Sequence, residues 1–207
     1  MKKSWIVEFT KELIKENIQI NWSLPSGTRS EALDQEVLYL LKETGCKKLT
    51  YAPESGSAKT LKRIKKVVKI PRMLKSIRFC VKAGISVKSN IIFGFPGQTL
   101  IEVLETYVFM MKAAFVGMND VSVFSFVPYP GSQLFFELVD SGKIRKDSGE
   151  YDLFLTGNIL GDVSGIKSWS EHITNRQLKI ILISSTLWFY FCQFIFTYYE
   201  LFLNNDE

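Results

Sequence analysis

Cysteine and histidine are scarce in this sequence. Its 207 residues include three cysteines, Cys46, Cys80 and Cys192, and one histidine, His172. The cysteines form no CxxC pair, which excludes a zinc site or redox dithiol built on that motif. One histidine gives too little material for a His-based metal cluster or a catalytic triad. Cys80 lies on the apolar stripe of a predicted helix and Cys46 just before a predicted strand, so both are expected to be small buried hydrophobes.

Two common nucleotide-binding signatures are also missing. Neither GxGxxG nor GxxxxGK followed by Ser or Thr occurs, so an ordinary dinucleotide or P-loop site is not indicated. The N-terminus shows no secretory signal with a small-residue cleavage site, and together with the widely spaced cysteines this favours a reduced, cytoplasmic compartment. Net charge is +5, but the lysines fall mainly in segments with a helical pattern, such as 59–69. Without an aromatic-basic surface motif, no nucleic-acid binding is expected.

The first 145 residues repeat a helix followed by a strand. Strands at intervals of roughly 30–40 residues, with helices between them, require crossover connections and therefore parallel pairing. The predicted fold is α/β: a partial, TIM-like (β/α) barrel of about four βα units with an apolar C-terminal helix, although the pattern alone also allows a doubly wound sheet. The predicted helices are 4–18, 33–45 with Asp34 as N-cap, 71–84, 99–111 and 132–140, and the predicted strands are 19–24, 48–52, 85–93 and 120–127.

The composition changes after the predicted barrel portion, residues 1–145. Residues 146–176 are rich in Gly, Ser and Asp and are predicted to form an irregular linker, and residues 177–203 a hydrophobic helix. Within that helix, the run 180–199 has no charged residue and the length of a membrane-spanning helix. A buried or dimerising helix fits as well, because Ser, Thr and Gln dilute the run. An interfacial anchor is a further alternative, although the run has little one-sided amphipathicity. A spanning helix would keep the barrel portion in the cytoplasm.

Four glycine-bearing loops follow the four predicted strands. They are PSGTR at 25–29, PESGS at 53–57, GFPGQT at 94–99 and PYPGS at 128–132. In parallel α/β folds, ligands bind outside the carboxyl ends of the strands. All four loops are therefore expected to line one rim and to form a binding mouth.

Glu54 is the most informative residue of this rim. Its carboxylate offers two acceptor oxygens that match a vicinal ribose diol. The same carboxylate also suits the N-terminus of a helix, where the dipole favours it by about 0.3–1 kcal/mol. Ser55 and Ser57 add hydroxyls, and Ser57 is also a candidate N-cap. Gly94 lets backbone approach a ligand closely, and Asn90 can donate and accept, so the set suits a nucleoside-like ligand.

With these motifs, residues 21–138 resemble the second half of the radical S-adenosylmethionine (SAM) barrel, particularly the branch often paired with a cobalamin-binding domain. The resemblance rests on TR, ESGS, GFPGQT and PYPGS in combination. It implies that Glu54, Ser55 and Asn90 contact the SAM ribose and that backbone near Gly94 receives the adenine. The SAM-binding residues implied by the resemblance are Arg29, Glu54, Ser55, Asn90, Ile92, Gly94 and Val127.

The sequence departs from the family at two points. Gln98 stands where the family commonly has glutamate, which removes a charge. More severely, the CxxxCxxC loop through which the family holds a 4Fe–4S cluster does not occur in the chain. Catalytic and metal-ligating residues are therefore not assigned.

The resemblance implies the C-terminal portion of a radical SAM enzyme, from a split or truncated reading frame, that retains part of the SAM pocket and is inactive alone. A second chain is then expected to supply the cysteine loop and the N-terminal half-barrel, pairing at the edge strand 19–24. The 4Fe–4S cluster would belong to the completed enzyme, and cobalamin is a candidate cofactor. The alternative is a non-catalytic remnant or a membrane-anchored interaction module.

Overall fold

The computed structural model describes residues 3–28, 33–145 and 166–203 of the chain. Their centre is a four-stranded sheet in the order β1-β2-β3-β4, in which every neighbouring pair is parallel. The predicted α/β fold with parallel strands is confirmed. The strands are β1 Trp22–Thr28, β2 Cys46–Glu54, β3 Ser86–Phe93 and β4 Asp120–Ser125.

Helices connect the strands and cover one face of the sheet. Asp34 caps α2 by accepting a hydrogen bond from the Val37 amide at 3.1 Å, as predicted. Thr99 and Glu102 form a reciprocal capping box at the start of α5, which satisfies two otherwise unpaired amides. The helices are α1 Lys3–Lys15, α2 Gln35–Glu43, α3 Ala58–Arg63, α4 Ile70–Lys82, α5 Leu100–Phe115, α6 Gln133–Asp140 and α7 Asn175–Leu203.

The two faces of the sheet differ in burial. Along β3, Val87, Ile91 and Phe93 are fully buried, and the Phe93 ring lies 6.2 Å from the Tyr107 ring of α5. Their neighbours along the strand are half-buried, because successive side chains point to opposite faces. The face toward α4 and α5 is therefore the main core, and the opposite face carries Asn90.

Several boundaries differ from the predictions; β2, for example, covers Cys46–Glu54 rather than 48–52. The first strand runs from Trp22 to Thr28 rather than over 19–24, and it includes Pro25. A proline is tolerated here because β1 is an edge strand of the described sheet, where an amide hydrogen is not needed on the outer side. The helical pattern of 59–69 is also interrupted, because α3 ends at Arg63 and Lys65 has a left-handed φ of 54°.

The C-terminal helix α7 lies along α5 and β4. Leu178, Ile181, Ser185 and Phe189 are buried, at the three- and four-residue spacing of a helix face. Trp188 donates its indole hydrogen to the Tyr107 carbonyl at 3.2 Å. By length and composition α7 is long and apolar enough to cross a membrane, yet one of its faces is part of the domain core.

Candidate functional site

The carboxyl ends of the parallel strands meet at one edge of the sheet. Glu54 ends β2, Gly94 follows β3, and Val127 follows β4. A cavity of about 210 Å³ lies at this edge, between the end of α3 and the start of α6. Arg63, Lys65, Phe126, Val127 and Tyr129 are among its lining residues. We call this edge the carboxyl rim.

Glu54 is held at the rim in an unusual backbone conformation. Its φ is 68°, in the left-handed region that residues other than glycine seldom adopt and that is enriched at functional sites. The pairing of β2 with β3 shifts register between Tyr51 and Glu54, and such irregularities re-aim side chains at strand ends. The Glu54 side chain is 19% exposed and forms an ion pair with Lys66. The Lys66 ammonium lies 2.7 Å from Oε1.

Ser55 lies beneath the rim and is fully buried. Its hydroxyl is 3.0 Å from the Thr106 hydroxyl of α5 and accepts a hydrogen bond from the Ser57 amide at 3.1 Å. The Gly56 amide donates to the same Thr106 oxygen at 3.2 Å. These bonds anchor the ESGS loop on α5. The Ser55 side chain is thus engaged inside the protein, and its contact with SAM stays a prediction.

A glycine is required at position 94 because the α7 helix of the same chain approaches it closely. Its φ is 86°, and a Cβ atom at this position would lie 2.8 Å from Cδ2 of Leu178 in α7. Its amide donates to Oε1 of Gln98 at 2.7 Å, and its carbonyl accepts from the Trp169 amide at 3.2 Å. The irregular segment 166–174 therefore packs onto the loop after β3, and backbone contact between Gly94 and a ligand stays a prediction.

The other predicted SAM-binding residues do not all lie at the carboxyl rim. Asn90 and Ile92 are half-buried on the sheet face opposite α4 and α5, opposite Ser122 and Phe124 of β4. Val127 lines the rim cavity, and Arg29 lies outside the described residues. The structure thus brings Glu54, Gly94 and Val127 to one edge, with Ile92 and Asn90 further back along β3.

Sequence reasoning missed two ion pairs behind the rim. One is Lys66 with Glu54. The other joins Arg63 to Glu102 at 2.9 Å, where the Glu102 side chain is only 2% exposed. Burial raises the pKa of the Glu102 carboxyl, but hydrogen bonds from Arg63 and Thr99 outweigh this and leave the pKa below its ordinary value. Both ion pairs join residues that only the folded chain brings together. The capping pattern of Thr99 and Glu102 indicates the position of Glu102 but not its pairing with Arg63.

The cysteines do not fit an iron–sulfur cluster. Cys46, Cys80 and Cys192 lie in β2, α4 and α7, and all three are buried. Burial raises the pKa of the Cys46 thiol to about 11 and that of Cys80 to about 12, whereas cluster ligation needs thiolates. Within the described ranges no group of three or more His, Cys, Asp or Glu side chains is arranged to hold a metal ion.

Two larger cavities lie away from the rim. A cleft of about 490 Å³ at the amino end of the sheet is lined by residues such as Asn17, Lys42, Gly45 and Lys47. A groove of about 740 Å³ lies between α4 and α5 on the outside of the domain. Cavity size does not identify the binding site, because ligands of parallel α/β sheets bind at the carboxyl ends of the strands, where the smaller rim cavity lies.

Comparison with known proteins gives consistent matches. The family model of the radical SAM superfamily matches residues 4–110. The chain is 28% identical over 174 residues to cytidylyl-2-hydroxyethylphosphonate methyltransferase from Streptomyces wedmorensis, covering 80% of this chain and 32% of that protein. It is 25% identical over 139 residues to anaerobic magnesium-protoporphyrin IX monomethyl ester cyclase from Rubrivivax gelatinosus, covering 67% of this chain and 24% of that protein.

Among solved structures, coproporphyrinogen III oxidase from Escherichia coli, a radical SAM enzyme, has a similar fold. The TM-score is 0.51 at 17% sequence identity, and the match covers 79% of this chain and 37% of that chain. The chain thus spans roughly a quarter to a third of the two curated relatives.

Proposed function

Because the chain belongs to the radical SAM superfamily, we propose that the described sheet is the second half of a radical SAM barrel and that its carboxyl rim binds SAM. The observation that carries this proposal is Glu54. A carboxylate stands at the end of β2, in a left-handed conformation with a φ of 68°, and it is bonded by Lys66, whose neighbour Lys65 lines the rim cavity. That combination is expected of a ligand-binding residue rather than of a surface turn.

The Glu54 carboxylate is suited to a ribose diol. Two adjacent hydroxyls donate naturally to the two oxygens of one carboxylate. Lys66 bonds Oε1 and thereby orients the group, while the side chain keeps 19% of its surface exposed. Hydrogen bonds to a charged acceptor are stronger than neutral ones, at about 1.5–3 kcal/mol each.

The rim cavity suits the adenine. Phe126, Val127 and Tyr129 give it apolar walls, and the Phe126 ring lies 4.8 Å from the Phe95 ring, which fixes its position. Asn90 and Ile92 lie further back along β3, on the sheet face away from α4 and α5. At about 210 Å³ the cavity holds part of a SAM-sized ligand, since ligand pockets usually measure roughly 300–1,000 Å³.

Bound SAM supplies a methyl group or radical chemistry in this superfamily. The latter needs an electron from a 4Fe–4S cluster, and the cysteines of this chain do not hold one. We therefore propose that the chain is inactive by itself and acts with a polypeptide segment that supplies the CxxxCxxC thiolates. The outer side of β1 is the proposed pairing edge, because a further parallel strand can add there. Cobalamin is proposed as a second cofactor of the completed enzyme.

An alternative is an interaction module with an idle pocket. The observation that favours it is that Glu54 and Ser55 are both satisfied internally, by Lys66 and by Thr106. In that case the fold is retained for its contacts with other molecules, and SAM does not bind.

Isothermal titration calorimetry separates the two functions. The folded 207-residue chain is titrated with SAM, and we expect a saturable heat that Glu54→Gln weakens about tenfold, the equivalent of one charge-assisted hydrogen bond. Glu8→Gln is the control, because Glu8 is an exposed acid on α1 far from the rim in sequence. No heat from the folded wild type would favour the interaction module. Equal affinities of wild type and Glu54→Gln would reject the role of Glu54.

A further inference from the structure

The outer surface of α5 and α7 carries two apolar stripes. Their members recur every three or four residues, so each forms one helix face, and each is between 42% and 69% exposed. The α5 and α7 stripes belong to neighbouring helices, because α5 and α7 pack against each other along the domain. We call this surface the outer apolar face; its members are Ile101, Leu104, Val108 and Phe115 of α5, and Ile180, Ile183, Leu187, Phe191, Phe194 and Tyr198 of α7.

A basic groove continues the outer apolar face. The groove of about 740 Å³ between α4 and α5 includes Phe115, which belongs to both surfaces. All its charged lining side chains are cationic: Lys75, Arg78, Lys82 and Lys112. Residues 70–82 of α4 include no acid, so cations border a largely apolar surface on the α4 side. Exposed apolar area of this extent marks an interaction site in a soluble protein.

We propose that the outer apolar face and the basic groove together bind the surface of an anionic lipid bilayer. Apolar side chains of such a surface enter the boundary between headgroups and acyl chains, while lysines and arginines attract anionic headgroups. The charge complementarity selects this occupant over a second copy of the chain, since the charged side chains that line the groove are all cationic and a second copy would itself bring a net charge of +5. The proposal goes beyond SAM binding and does not depend on it.

The packing of α7 indicates that it lies along the bilayer rather than through it. Its inner face is committed to the domain core, with Leu178 and Phe189 fully buried. Gln193 donates to the carbonyls of Met118 at 3.1 Å and Asn119 at 3.0 Å. A helix that spanned the membrane would break these contacts and expose the core, whereas interfacial binding uses the opposite face.

Vesicle flotation tests the proposal with the full chain. Wild type is mixed with vesicles of phosphatidylcholine or of an equal mixture with phosphatidylglycerol. We expect at least tenfold stronger binding to the mixed vesicles, which is reduced at high salt. The Lys75→Glu/Arg78→Glu variant should bind more than tenfold more weakly, because each cation contributes roughly fivefold. Leu187→Glu/Phe191→Glu should abolish binding.

Lys11→Glu/Lys62→Glu is the matched control, since it makes the same charge change at exposed lysines of α1 and α3, and it should bind like wild type. Circular dichroism melts confirm that each variant is folded. Equal binding to both kinds of vesicle, or no effect of Leu187→Glu/Phe191→Glu, would overturn the proposal. The proposal would also be overturned if sedimentation velocity showed a wild-type dimer that the Leu187→Glu/Phe191→Glu substitutions dissociate, because a second copy of the chain would then cover the outer apolar face. Folded wild type that fails to float would also reject it.

Discussion

The Lys66 ammonium lies 2.7 Å from Oε1 of Glu54, at the point where β2 ends. The two residues flank α3, and both turns around that helix contain a left-handed residue, Glu54 with a φ of 68° and Lys65 with a φ of 54°. The chain thereby returns to the rim after one short helix. The ion pair closes this loop and orients the Glu54 carboxylate, whose proposed partner is the SAM ribose.

Lys66→Met should strengthen SAM binding about twofold to fivefold. The diol then no longer competes with an ammonium for Oε1, and a partly exposed ion pair is worth about 0.5–1 kcal/mol. Calorimetry measures the effect. Lys62→Met, which removes a charge from exposed α3 surface, should leave the affinity unchanged. Weaker binding by Lys66→Met would show instead that the orientation supplied by Lys66 outweighs the competition.

Arg63→Met should destabilise the fold by about 2 kcal/mol near neutral pH, because it leaves the buried Glu102 carboxylate without its cation. The Glu102 pKa lies below its ordinary value of 4.5. Its contribution is therefore present above pH 4.5 and is lost as the pH falls through the folded-state pKa. The difference between wild type and Arg63→Met in urea unfolding should narrow as the pH falls below 4.5. A constant difference across that pH range would contradict this assignment.

Gly94→Ala should cost about 2–3 kcal/mol of unfolding free energy. A left-handed alanine costs about 1–2 kcal/mol, and the added Cβ would lie 2.8 Å from the Leu178 side chain, which adds overpacking. In the double variant Gly94→Ala/Leu178→Ala, the total cost should be lower than the sum of the single costs by about 1 kcal/mol. If the free-energy costs of the two single substitutions were strictly additive, the Leu178 side chain would not be in contact with residue 94.

Two phenylalanines of α7 provide a matched stability test. Phe189 is fully buried and Phe191 is 56% exposed. Phe189→Ala should destabilise the protein by about 3–4 kcal/mol, and Phe191→Ala by less than about 0.5 kcal/mol. Chemical denaturation of both variants gives the comparison. Equal small effects would mean that α7 is not docked on the core.

Periodicity and capping residues predicted much of the fold. Asp34 and Thr99 begin helices where the sequence places them, because their side chains accept local amide hydrogen bonds that need no tertiary information. The start of β1 was predicted too early, because the predicted strand 19–24 included Ile20, which is 45% exposed and precedes β1. Pro25 lies in the predicted loop 25–29 but within the observed strand, because an edge strand accommodates a proline.

The edge at which the candidate residues meet was predictable from the sequence, but their contacts were not. Parallel topology alone places Glu54, Gly94 and Val127 at one edge. The pairing of Glu54 with Lys66 depends on two left-handed residues that propensity does not reveal, and the burial of Ser55 depends on Thr106 of a later helix. For α7, the sequence left burial and membrane contact open, and the structure shows an apolar stripe on both sides of the helix.

The central claim is that SAM binds at the carboxyl rim, and amide chemical shifts of the isotope-labelled chain test it most directly. On titration with SAM, we predict that the amide signals of Glu54, Asn90, Gly94 and Val127 shift together and saturate. The amides of Gly45 and Lys47, in the cleft at the amino end of the sheet, should stay in place. Shifts confined to Gly45 and Lys47, or no shifts at all in the folded chain, would contradict the account.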